Sequence, residues 1–98
     1  MMIVTGSVQI RPQNLAEAIA ICLEHVRRSR GEPGCVSHAV SQDAEDPCRL
    51  FFFEQWADRA ALAEHFAVPQ SGEFVAALLR LAISAPEISV YDAEAVHS

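Results

Sequence analysis

Four consecutive apolar side chains, Leu50-Phe51-Phe52-Phe53, stand inside a stretch, Arg49 to Trp56, that otherwise reads as a β-strand. Successive side chains of a strand point to opposite faces, so Phe51 and Phe53 cannot share a face with Phe52. Both faces of this strand are apolar and both need cover, which a sheet with one wet side does not provide. Helices of the chain itself can cover one face. The simplest cover for the other is the sheet of an identical chain, which predicts a two-fold homodimer. The alternative is a monomer with one or two of these rings half-exposed; clustered aromatics are less common on surfaces than single apolar side chains.

The rest of the chain supplies the elements for such a layer. Met2 to Ile10 alternates, with Val4, Gly6, Val8 and Ile10 on one face, and Pro12 ends it. Asn14, followed three residues later by Glu17, has capping-box spacing. Leu15, Ile19, Cys22, Leu23 and Val26 then recur at helical spacing. This places His25 near the polar side of the helix, in solvent, like His97 in the tail. Arg27, Arg28 and Arg30 suit the helix C-terminus, and Gly31 is a natural C-cap. Pro33-Gly34 signals a turn. Cys35 to Gln42 alternates with Val36, His38 and Val40 on one face, and forms an antiparallel hairpin with Arg49 to Trp56. Asp58 caps a second helix whose inner face carries Leu62, His65 and Phe66, and Pro69 breaks it. A third helix starts at Ser71 or Gly72, with Phe74, Val75, Leu78, Leu79 and Ala82, and ends before Pro86. Ile88 to Ala95 is the last strand, with Tyr91 opposite Ile88 and Val90 in facing. The order predicts an α+β fold over residues 1–98 as a single domain: a ferredoxin-like four-stranded antiparallel sheet with helices on one face.

Charge and cysteine usage exclude several functions. The formal net charge is -6, and all seven basic residues are arginine, scattered apart from the group at 27–30. Without a basic stripe the chain is a poor binder of nucleic acid or of anionic membranes. No apolar run approaches the roughly 18 residues of a membrane span. The N-terminus lacks the charged start of a signal peptide, so the three cysteines, Cys22, Cys35 and Cys48, read as reduced thiols of a cytoplasmic protein. The cysteines are dispersed and the histidines lie on different elements without ligand spacing, which argues against a metal site. Gly31 and Gly34 are turn glycines, not a phosphate cradle.

Residues 32–74 carry the most information. They hold Glu32-Pro33-Gly34-Cys35, then Asp46-Pro47, Glu54-Gln55-Trp56, Ala61-Leu62 with His65, Pro69 and Phe74. This series resembles the antibiotic biosynthesis monooxygenase superfamily, with its Glu-x-Gly-Cys, acidic-Pro turn, Glu-x-Trp and Leu-x-x-His pattern. The bacterial quinol monooxygenase branch looks nearest. The resemblance implies a dimeric α+β barrel with a pocket between each sheet and its helices. It also implies oxidation of polycyclic phenols or quinols by molecular oxygen without flavin, haem or metal. Two positions depart from relatives. Quinol-oxidising members often carry a second His after the loop Pro, where this chain has Gln70. Haem-degrading members use an Asn on the first strand and a His on the last helix, where this chain has Gly6 and about Leu78. Other members of the superfamily isomerise small phosphorylated signals or have no known activity.

Read from the residues, such chemistry needs a base, a donor near the developing anion and a dry aromatic cavity. His65 is the candidate base or substrate anchor; the alternative is a buried structural His bonded to Glu54 or a backbone carbonyl. Glu54, on a mostly apolar strand, must be paired or protonated, with His65 or an Arg as partner. Trp56 could bind a substrate oxygen or pack with its N–H on the backbone. His38 could face the pocket, the core or an interface. Phe52, Phe66 and Phe74 are candidate pocket walls, and Tyr91 a dimer contact or pocket donor. A cofactor-free monooxygenase acting on a small aromatic molecule is the leading expectation. An isomerase or small-ligand binding module, and a structural dimerisation domain, are the alternatives.

Overall fold

The computed structural model describes residues 1–97. Strand β1 (Met2–Gln9) leads through a single 3-10 turn (Pro12–Asn14) into helix α1 (Leu15–Ser29). Strands β2 (Cys35–Gln42) and β3 (Arg49–Trp56) form the hairpin. Helices α2 (Arg59–Ala67) and α3 (Pro69–Leu81) follow, and β4 (Glu87–Asp92) closes the sheet. The sheet order is β2-β3-β1-β4 with every neighbouring pair antiparallel, the ferredoxin-like arrangement.

Register explains the side-chain pattern. Met2, Val4, Gly6 and Val8 of β1 lie opposite Trp56, Glu54, Phe52 and Leu50 of β3, all directed toward the helices. Phe52 is 8% exposed, whereas Phe51 and Phe53, on the other face, are 41% and 38% exposed in the single chain. Tyr91 is opposite Ile3 on that same outer face. The apolar core falls into two groups. One gathers Val8, Ile10, Cys22, Leu50, Phe52 and Leu78; the other Met2, Val4, Trp56, Ala61 and Leu62. Along β3 the boundary between them is Glu54, a carboxylate in the middle of the inner face.

Several local expectations are corrected. Asn14 precedes α1 but makes no side-chain cap, because the 3-10 turn leads directly into the helix. Gly31 does not take the left-handed conformation. The helix runs out through close turn bonds from Gly31 N to Arg28 O and Glu32 N to Ser29 O, and the left-handed residue is Gly34, at φ 80°. Pro69 does not merely break α2. It is the first residue of α3, where its missing N–H and fixed φ are tolerated, and Val68 joins the two helices. Asp58 caps α2 as expected, its Oδ1 accepting from Ala61 N at 2.8 Å. In β2 a bulge between Cys35 and Ser37 leaves Val36 over, 53% exposed, so it does not share the inner face with His38. Strand β4 starts at Glu87 and ends at Asp92, shorter at its C-terminal end than the alternation suggests. Among the described residues no helix is long and apolar enough to cross a membrane.

Candidate active site

Four elements bring polar side chains to the gap between the two core groups. β3 supplies Glu54, β2 places His38 directly opposite it, α1 supplies His25 and α2 supplies His65. All four are buried. The imidazole centroids form a near-equilateral triangle with sides of 5.3, 5.5 and 5.6 Å. Each histidine is also held at its backbone by a side-chain donor: Ser29 Oγ to His25 O at 2.7 Å, Arg30 Nε to His38 O at 2.9 Å, and Ser71 Oγ to His65 O at 2.8 Å.

Glu54 is the hub of the cluster. Its Oε1 accepts from Trp56 Nε1 at 2.9 Å and lies 3.3 Å from His38 Nε2 and 3.7 Å from His65 Nε2. Burial pushes its carboxyl up, but His38, the indole donor and His65 outweigh that effect and hold the group below its ordinary value. It is an ionised carboxylate in a largely apolar setting. The His38 contact is loose for a hydrogen bond at 3.3 Å, and His38 Nδ1 is buried with no partner among the described residues.

His65 is oriented from behind. Its Nδ1 donates to Glu32 Oε1 at 2.9 Å, and its ring stacks on Trp56 with centroids 4.4 Å apart. With a carboxylate on Nδ1 the neutral ring keeps its proton on that nitrogen and its lone pair on Nε2, the side of Glu54. Glu32 reaches His65 because Gly34 lets the preceding loop close onto α2. A Cβ at Gly34 would lie 2.4 Å from Ala61 Cβ, and Gly34 O accepts from Ala57 N at 2.8 Å. Ala61 and His65 are one helical turn apart, so the same face of α2 receives the loop and presents the histidine.

His25 is neutral. Its Nδ1 accepts from Arg28 Nη2 at 2.7 Å and its ring stacks on Phe74 at 3.9 Å, nearly parallel. Burial, then the charges of His38 and Arg28, holds its pKa down at about 3. A cavity of about 320 Å³ opens from this cluster between the sheet and α2 and α3. Its walls include Val4, Phe52, Phe74, Leu78 and Ile88, and its polar end is formed by His25, Glu54 and His65. The helices stop short of β4, where Ile88 and Val90 remain exposed on the helix side and leave the cavity a mouth.

The residues singled out in the sequence fall into three positions. His65, Glu54, Phe52 and Phe74 line the cavity, with Phe66 at its rim, half-exposed rather than inside. Trp56 and His38 do not reach it. They are fully buried behind Glu54 and His65, so neither touches a ligand in this cavity. Tyr91 faces away from it on the outer sheet surface. Two members of the cluster lack a role in the sequence reading. His25 is buried, not solvated, because Ala18, Cys22, His25, Val26 and Ser29 form the buried stripe of α1. Glu32, not Glu54, makes the short hydrogen bond to His65. The fold gathers three histidines whose sequence positions show no ligand spacing.

Known proteins share this fold. A protein of Synechocystis sp., the uncharacterized sll1783, is 36% identical over 90 residues, 92% of this chain; the chain spans 61% of that protein's length. A candidate antibiotic biosynthesis monooxygenase of Deinococcus radiodurans superposes with a TM-score of 0.94 at 24% identity, covering 100% of this chain and 97% of its own. SnoaB, a cofactor-independent oxygenase of Streptomyces nogalater, superposes with a TM-score of 0.85 at 17% identity, covering 97% and 94%. The family model for antibiotic biosynthesis monooxygenases matches residues 1–77, a span that holds every residue of the histidine cluster and Phe74. The chain belongs to the antibiotic biosynthesis monooxygenase family.

Proposed function

We propose that the protein is a monooxygenase that oxidises a quinol or polyphenol-type aromatic with molecular oxygen and without a cofactor. The observation that carries this reading is the apolar, aromatic-walled cavity whose polar end holds His65, an imidazole fixed at Nδ1 by Glu32. Its volume suits a small ring system. A hydroxyl placed at the polar end gives its proton to His65 Nε2, with Glu32 holding the ring in the required tautomer. The resulting anion, shielded from water by Phe52, Phe74 and Leu78, passes one electron to oxygen. Recombination leaves one oxygen atom on the substrate, and the other departs as water with electrons drawn from the substrate. Glu54 and Trp56 position His65 from its other side. The description of SnoaB as a cofactor-independent oxygenase supports the same chemistry in this fold.

Oxygen uptake with a panel of hydroquinones and polycyclic phenols tests the reading. The wild type is expected to accelerate uptake for at least one, and His65→Ala to lower kcat/KM by about 10²- to 10⁴-fold, the usual contribution of a positioned base. Equal rates for the two proteins remove the assigned role.

The active form in this proposal is a homodimer whose second sheet covers Phe51, Phe53 and Tyr91. The grouping of these exposed aromatic rings on one face supports it. Light scattering at micromolar concentration is expected to give twice the chain mass of 10.7 kDa. A monomer mass rules the dimer out.

A further inference from the structure

We propose that His38, His65 and Glu54 form a binding site for one divalent first-row transition-metal ion. The inference does not depend on the oxygenase reading. Two imidazoles and one carboxylate are a donor set that such ions favour, and a cavity on one side of the set leaves room for further ligands. The spacing suits a single ion. His38 Nε2 and His65 Nε2 lie 3.3 and 3.7 Å from the same Glu54 oxygen. Donors bound at about 2.0–2.1 Å around a tetrahedral ion are themselves roughly 3.3–3.4 Å apart, so the two separations to Glu54 are already close to those of a bound ion. Counting His25 too, one ring nitrogen from each of the three histidines falls within 4.8 Å of the others.

Two independent observations point to a ligand. The first is His38, whose side chain is fully buried, whose Nδ1 has no partner among the described residues and whose Nε2 has only the loose 3.3 Å contact with Glu54. Native structures rarely leave such a group unsatisfied, and an ion is one of the few things that can satisfy it. The second is the outer layer. Metal-bound histidines usually donate their other nitrogen to a carboxylate or carbonyl, and bound carboxylates are themselves hydrogen-bonded. Here Glu32 accepts from His65 Nδ1 at 2.9 Å, and Trp56 Nε1 donates to Glu54 at 2.9 Å. The backbone bonds from Arg30 to His38 and from Ser71 to His65 hold the two ligand-bearing segments in place. His25 is a neighbour rather than a donor. Its Nδ1 is taken by Arg28, which can only donate, so the proton is on the other nitrogen.

An ion here uses the lone pair of His65 Nε2, the same one assigned above to proton transfer. Metal occupancy and base catalysis therefore exclude each other, and zinc is expected to inhibit.

The test uses tag-free protein stripped with EDTA and titrated with Zn²⁺ by calorimetry and chelator competition. One equivalent per chain is expected, with His38→Ala and Glu54→Gln each weakening it at least tenfold. His97→Ala, in the exposed tail, leaves it unchanged. Ring-nitrogen NMR of the unmodified protein guards against variants that fail to fold, since zinc must shift His38 and His65. Absence of binding overturns the inference, as does binding that perturbs neither ring or that is lost with His97. Oxygen uptake that zinc does not slow, with both rings shifted, upholds the metal site and removes His65 as the base. Zinc binding at His38 and His65 in a protein without oxygen uptake upholds the metal site and removes the oxygenase reading instead.

Discussion

Gly34→Ala is expected to destabilise the protein by about 2–4 kcal/mol, the sum of placing an L side chain in the left-handed region and overpacking a tight contact. Both effects arise at one residue. Gly34 has φ 80°, and an added Cβ would fall 2.4 Å from Ala61 Cβ, a distance that requires backbone movement. The neighbour is the first turn of α2 rather than the tip of a flexible side chain, so little can yield. At this chain length the loss corresponds to a fall in Tm of roughly 10–25 °C. Gly31→Ala is the control: a Cβ there meets only Arg28 O at 3.5 Å, an ordinary contact, and the change should stay within about 0.5 kcal/mol. Thermal unfolding followed by circular dichroism compares the three proteins. A Tm for Gly34→Ala within about 3 °C of wild type would mean that the loop does not press on α2 as described. The damage should extend to the site, because the same loop carries Glu32 to His65.

The second large effect is expected at Trp56, where two substitutions separate packing from hydrogen bonding. Trp56 is fully buried between Met2, Val4, Ala61 and Leu62, stacks on His65, and donates its indole N–H to Glu54. Trp56→Ala removes all of this and leaves a large void, with an expected loss of about 3–5 kcal/mol. Trp56→Phe keeps an aromatic ring against His65 and removes the donor from a buried, ionised carboxylate. That change should cost about 1–3 kcal/mol. Urea unfolding measures both. If the Phe variant is as unstable as the Ala variant, the hydrogen bond to Glu54 outweighs the stack. If it is as stable as wild type, Glu54 finds another donor and is not the hub assigned here.

Much of the fold was legible in the chain because its strands follow the period of two closely. The limits of β2 and β3 fall where alternation and turn residues place them, and the Leu50–Phe53 run correctly announces two apolar faces. The site was half legible. His65 and Glu54 stand out because a histidine on an apolar helical face and a carboxylate in an apolar strand both conflict with burial. His25 was hidden because its companions on the buried stripe, Ala18 and Ser29, are small and do not mark a face by hydrophobicity. Glu32 was hidden because its partner lies 33 positions away across a turn, a distance that local periodicity does not encode. The convergence of His25, His38 and His65 depends on strand register and helix packing together, and no spacing along the chain reveals it.

The surplus residue at Val36 changes the parity of β2. Strict alternation would send Cys35 and His38, an odd and an even position, to opposite sides. With Val36 left over, Cys35 stands opposite Trp56 and His38 opposite Glu54, on one side. Before the irregularity odd numbers face the helices; after it even numbers do. The half that leads back to Gly34 and the half that carries His38 are thus phased separately, and each can be matched to its own neighbour. Shortening the strand by that one residue would leave the composition of the site intact yet force one half to turn its back on the histidine cluster.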